Sequence, residues 1–123
     1  MLTVMKFLID LKVAEPGSVT IGVCTSSYKI MNQGLGEDEN SWGFALGSGV
    51  VLHNDEEKEY GQHARFEKPG KILGMIIDPI HGTLAFDLDG KDMGIAFRDE
   101  KLKALVFPVV QIIDIKGSVD IIS

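Results

Sequence analysis

Ser41-Trp42-Gly43-Phe44 holds the only Trp of the chain. Before it comes an acidic, glycine-punctuated run, Gly34-Leu35-Gly36-Glu37-Asp38-Glu39-Asn40, and after it Leu46-Gly47-Ser48-Gly49. A large aromatic between two glycine-rich segments predicts a ring buried in a sheet core, with the loops left to carry binding. Trp42 and Phe44 would share one face of a strand, and Val50-Val51-Leu52-His53 would form the next strand.

Working outward, period two governs nearly the whole chain. Phe7, Ile9, Leu11 and Val13 alternate against Leu8, Asp10 and Lys12, and Val19-Thr20-Ile21-Gly22-Val23 alternates again. Glu15-Pro16-Gly17-Ser18 between them is turn chemistry, so the two runs are expected to pair antiparallel. Residues 24–41 form a long aperiodic connection, a length that usually signals function. Asn54 to Arg65 reads as a second polar loop. Lys68-Pro69-Gly70 is a turn, and Ile72–Ile77 is apolar on both faces, as a central strand requires.

Asp78-Pro79-Ile80-His81-Gly82 predicts a hairpin into Thr83–Leu88, with Leu84, Phe86 and Leu88 inward. Asp89-Gly90 predicts a two-residue turn into a strand where Met93, Ile95 and Phe97 alternate. Leu105–Ile113 is a further strand region that Pro108 assigns in part to an edge or a bulge. Asp114-Ile115-Lys116-Gly117 is a tip, and Val119-Asp120-Ile121 starts a last strand. Many short strands, frequent turns and no helix pattern predict an all-β, antiparallel sandwich or barrel.

The 123 residues suffice for one domain, 1–123, with one core. A net charge of −6 without a basic stripe argues against nucleic acid and against an anionic membrane surface. No apolar run approaches the roughly 20 residues of a membrane span, and Lys6, Asp10 and Lys12 break up the apolar start before a signal peptide can form. A lone Cys24 excludes an intramolecular disulfide and fits an intracellular, reducing setting, cytoplasmic or nuclear.

Catalysis, cofactor and metal find no support in the pattern. His53, His63 and His81 fall on separate predicted loops, and there is no Gly-x-Ser-x-Gly elbow. Asp87-Leu88-Asp89-Gly90-Lys91-Asp92 has the look of a calcium loop, but aligning Gly90 puts Ala85 and Ala96 at ligand positions, so the hairpin reading stands. Glu37-Asp38-Glu39 reads as solvated loop charge. No enzyme is expected, no cofactor and no metal.

Taken in order, several stretches resemble the SPRY domain, a β-sandwich interaction module of concanavalin-like jelly-roll form. They are Gly17–Val23, Leu35-Gly36 leading to Ser41–Phe44, Ile76-Ile77-Asp78 with Gly82–Phe86, Gly90 followed by Met93–Arg98, and Val106-Phe107-Pro108-Val109-Val110. The set is similar above all to the SPRY domains of SOCS-box and F-box ubiquitin-ligase adaptors and of Ran-binding scaffolds. The resemblance implies a partner protein, held as a short peptide or loop by surface loops. It also implies strand material before this point, so the chain reads as part of a longer protein or as an N-terminally shortened version.

In the SOCS-box relatives the pocket uses an N-terminal arm, a Tyr and a Val-Trp-Gly tip. By position the Tyr site falls on Met31 and the tip on Ile113-Asp114-Ile115, so the Tyr differs, Ile for Val is a conservative change, the other two of the three tip residues differ in kind, and the arm has no counterpart. The Asn-rich peptide specificity of those relatives is therefore not transferred. The residues themselves nominate Tyr28, Met31, Asn32 and Gln33, adaptable apolar groups among amides, as partner-binding; at the tip Asp114-Ile115-Lys116 the Ile is either exposed for contact or folded back, and its location by resemblance adds Asp114, Ile115 and Lys116 to the set. For Met31, contact and filling beneath the loop stay open; Ile30 reads as filling. Trp42, Phe44, Phe86 and Phe97 read as structural core. The alternatives are a lectin-like domain holding a sugar or small ligand, and a structural segment of a larger channel or scaffold.

Overall fold

A computed structural model describes residues 4–11, 19–28, 34–60, 71–104, 106–112 and 119–122. Its strands are β1 (Met5–Leu11), β2 (Val19–Cys24), β3 (Ser41–Ala45), β4 (Val50–His53), β5 (Glu56–Glu59), β6 (Lys71–Asp78), β7 (Thr83–Leu88), β8 (Lys91–Arg98), β9 (Phe107–Ile112) and β10 (Val119–Ile122). One 3-10 helix, Glu100–Lys103, follows β8. The strands form two five-stranded antiparallel sheets that lie in two compact units.

The first unit carries the sheet ordered β10-β1-β6-β7-β8. β6 is central because it can be buried: Leu73, Met75 and Ile77 are fully enclosed, while Ile72 and Ile76 on the other face are half-buried. In the register Phe7–Met75–Phe86 and Ile9–Leu73–Leu88, one face is a continuous apolar layer. Each side chain buried there contributes about 1.5–3 kcal/mol relative to exposure. Asp89 and Gly90, with φ of 49° and 83°, make the expected two-residue turn, and Asp89 Oδ1 accepts the Ile72 N–H at 2.8 Å. Leu102, wholly buried, anchors the 3-10 helix, whose N-terminus is capped by Asp99 accepting the Lys101 N–H.

The second unit carries the sheet ordered β5-β4-β3-β2-β9. Val19, Ile21, Val23, Trp42, Phe44 and Val51 fill one face and are all enclosed. Trp42 stacks on His53 with ring centroids 4.6 Å apart, and Tyr60 meets Phe44 edge-on at 5.2 Å. β9 is an edge strand, which suits Pro108.

Three expectations are corrected. β1 and β2 do not pair: β1 lies between β10 and β6, and β2 between β3 and β9. Sequence neighbourhood and turn residues suggested a hairpin, but longer-range partners took both edges of each strand. Second, the polar run after His53 is in part a strand. Asn54 and Asp55, with φ of 53° and 62°, form a tight turn of the kind hairpins prefer, and β5 follows with all four residues exposed. Charge on both faces hid that strand, because an edge strand facing water needs no alternation.

The third correction concerns β8. Phe97 is only half-buried and Ile95 is 51% exposed, whereas Ala96 is buried. Leu84 pairs with Phe97 but Ala85 with Ile95, and Asp87 with Asp92. Two extra residues thus bulge from β8, and each bulge flips the face that period two would assign.

Candidate functional site

Of the nominated binding residues, Tyr28 is described and half-buried. Met31, Asn32, Gln33, Asp114, Ile115 and Lys116 lie outside the described residues, as does Ile30. The described flanks, Thr25–Tyr28 and Gly34–Asn40, show how the long connection is held.

Register alone would separate the two nominated segments. β2 and β9 are antiparallel, with Val19 opposite Ile112 and Cys24 opposite Phe107. The connection leaves β2 at one end, and the chain leaves β9 for the tip at the other, about 17 Å away at ordinary strand rise. The connection doubles back. The Leu35 N–H donates to Gln111 Oε1 at 3.0 Å, which brings the connection beside the last turn-ward residues of β9. Leu35 lies over Gly43, on the face opposite Trp42 and Phe44. A Cβ at Gly43 would sit 3.3 Å from Leu35 Cγ and 2.9 Å from Thr20 Cγ2, so only glycine admits the connection at this depth.

Asp38 organises the rest. Its Oδ1 accepts the Asn40 N–H at 3.1 Å and the Ser41 hydroxyl at 3.0 Å, and its carbonyl accepts the Asn54 N–H at 3.0 Å. Ser41, fully buried, accepts the Gly36 N–H at 2.8 Å. Thr25 N–H donates to the Asn40 carbonyl at 2.8 Å and closes the base. Glu37 Oε2 accepts the Gly34 N–H at 2.6 Å. Glu37 and Asp38, read from sequence as solvated charge, are therefore braces: short carboxylates beside orphan amides satisfy them. Burial, then Asp38, Cys24 and Glu37, raise the Tyr28 hydroxyl above its ordinary value, and burial followed by Asp38 raises the Cys24 thiol. Both stay neutral at physiological pH, so Tyr28 offers a ring and a hydroxyl donor rather than a charge.

His53 was missed as part of this framework. Its Nδ1 lies 2.9 Å from the Ser41 carbonyl, so that nitrogen carries the proton, and its ring covers Trp42. The Gln111 brace left no sequence signal, since a polar residue facing out of an edge strand is ordinary.

A concave feature belongs to the first unit. The β6–β7 turn, the ends of β7 and β8 and the 3-10 helix enclose a groove of about 590 Å³, lined by Asp78, His81, Thr83, Ile95, Arg98, Asp99, Glu100 and Lys103. No helix among the described residues is long and apolar enough to cross a membrane.

The model of the SPRY domain family matches residues 4–119. Human SPRY domain-containing SOCS box protein 1 is 31% identical over 100 residues, covering 73% of this chain and 36% of that protein. The F-box/SPRY domain-containing protein 1 of Xenopus laevis is 34% identical over 97 residues, covering 73% and 34%. The chain thus spans about a third of the length of the curated relatives it matches. The crystal structure of the SPRY domain of human HERC1 is similar over 98% of this chain and 76% of that one, with a TM-score of 0.77 at 16% identity. The fold is accordingly the antiparallel β-sandwich of that structure, and the chain belongs to the SPRY family.

Proposed function

We propose that this SPRY domain is a non-enzymatic, intracellular interaction module that holds a short peptide or loop of a partner protein. The contact surface would be the 24–41 connection together with the 114–117 tip, with Tyr28, Met31, Asn32, Gln33, Asp114, Ile115 and Lys116 as its candidate residues. The observation that carries the reading is the Leu35–Gln111 hydrogen bond, which fastens the connection to the strand that leads into the tip. That bond joins two residues 76 apart in sequence, which supports reading the two segments as one surface. Apolar anchors would supply affinity, and amides and backbone the register.

SOCS-box and F-box relatives favour a place in a longer protein, where one SPRY domain spanning 1–123 would act as the substrate receptor of a ubiquitin ligase or as part of a scaffold. Parallel peptide and glycan arrays test the reading. Peptide capture that Met31→Asp and Asp114→Arg weaken, at unchanged melting temperature, is the expected result. Sugar binding without a peptide signal would replace it with a lectin-like function.

A further inference from the structure

We propose that the groove of the first unit is a second, separate docking site, for an acidic side chain flanked by an apolar one on a partner polypeptide. Its walls are fixed before anything binds. The Gly82 N–H donates to the Asp78 carbonyl and the Asp99 N–H to the Gly82 carbonyl, both at 2.8 Å, and buried Leu102 holds the helix behind them. A groove set by backbone hydrogen bonds gives up little entropy on binding. Its volume lies in the range of ligand-holding clefts.

The charges lining it are not equally available. Asp78 accepts from the His81 ring at 2.7 Å and from the Ile80 and His81 amides at 3.0 and 3.2 Å. Asp99 caps the helix through the Lys101 N–H at 3.0 Å. Glu100 and Lys103 pair with each other at 3.1 Å. Arg98 is exposed and makes no ion pair among the described residues. It stands opposite Thr83 in the register, and the bulge in β8 turns Ile95, half exposed, into the same groove. Asp78, Asp99 and Glu100 thus each already have a local donor, and the cation left without an ion pair is a planar guanidinium beside an apolar surface. A carboxylate fits the guanidinium two-pronged, and a Leu-sized neighbour covers Ile95.

The test uses fluorescence polarisation with labelled decapeptides bearing central Leu-Glu, Leu-Gln or Leu-Lys pairs in pooled flanking sequence, with amide shifts of Thr83, Ile95 and Asp99 as a site marker. Leu-Glu peptides should bind about tenfold more tightly than Leu-Gln peptides and shift those amides. Arg98→Gln should erase the Glu-over-Gln preference, and Arg98→Lys should keep part of it. The proposal is overturned if the pools bind alike or not at all, if the preference survives Arg98→Gln, or if the shifts fall elsewhere.

Discussion

Leu35 and Gln111 are joined by a single hydrogen bond, main-chain N–H to side-chain Oε1, that fastens the longest connection of the second unit to its edge strand. Leu35 is 3% exposed, so its amide has little access to water as a substitute acceptor. A buried donor that loses its partner costs more than the bond contributes when made.

Gln111→Leu is therefore expected to destabilise the domain by about 1–2 kcal/mol and to speed hydrogen exchange at the Leu35 amide. Gln111→Glu keeps an acceptor and should restore slow exchange. Unchanged exchange in the leucine variant would show that the brace does not hold the connection.

Trp42 carries the second unit's core. It is fully buried and stacked on His53, and its Nε1 has no hydrogen-bond partner among the described residues. Trp42→Ala should cost about 3–5 kcal/mol in denaturant unfolding, from lost burial and the cavity left behind. Trp42→Phe should cost clearly less, because it keeps an aromatic face for His53 and deletes a donor that goes unused. Equal losses in the two variants would mean that Nε1 does find an acceptor.

The outcome of reading the sequence divides along physical lines. Strands that turn large apolar side chains to one face, such as Thr83–Leu88 and the Trp42–Phe44 pair, announce themselves because the alternation of side-chain type marks that face. β5 does not, because its Glu56-Glu57-Lys58-Glu59 face water on every side. β8 misleads, because a bulge at Ala96 shifts parity without any local signal beyond a nearby Gly94 at φ 90°. The pairing of β1 was illegible for another reason: it is decided by partners sixty or more residues away. At the candidate site the loop residues were legible as loop, but Asp38 as a hub and Gln111 as a brace depend on the chain doubling back.

Asp78 and His81 give the first unit a measurable pH signature. The His81 ring, ahead of the Ile80 and His81 amides, holds the Asp78 carboxyl below its ordinary value of 3.8. A carboxyl depressed in the folded state adds stability above the unfolded value, and that contribution is lost as pH falls through the folded one. His81→Ala should move the Asp78 carboxyl upward in an NMR titration while the two amide bonds keep it from full recovery. A titration curve unmoved by the substitution would assign the whole effect to the backbone amides.

Lys6 and Asp87 form an ion pair at 2.6 Å that spans β6, with Lys6 on β1 and Asp87 on β7. Gly74, opposite Asp87 in the register and beneath the reach of the Lys6 side chain, makes the span possible: a Cβ there would lie 2.8 Å from Asp87 Cγ and 2.9 Å from Lys6 Cε. Asp87 is 6% exposed, so its carboxylate depends on that ammonium, whereas Lys6 remains half in water. The two partners should therefore respond unequally. Lys6→Met strands a buried charge and should cost about 1–3 kcal/mol, while the double variant Lys6→Met, Asp87→Leu removes the charge as well and should regain most of that loss. Gly74→Ala should destabilise by pushing the pair apart in the native protein, but should cost far less in a second double variant, Lys6→Ala, Asp87→Ala, where neither the Cγ nor the Cε is left for the new methyl to meet. Thermal unfolding of the wild type, Gly74→Ala, the double alanine variant and the triple variant closes a cycle, and additive losses from Gly74→Ala and the double substitution would show that the glycine serves the sheet alone and not the ion pair it lies beneath.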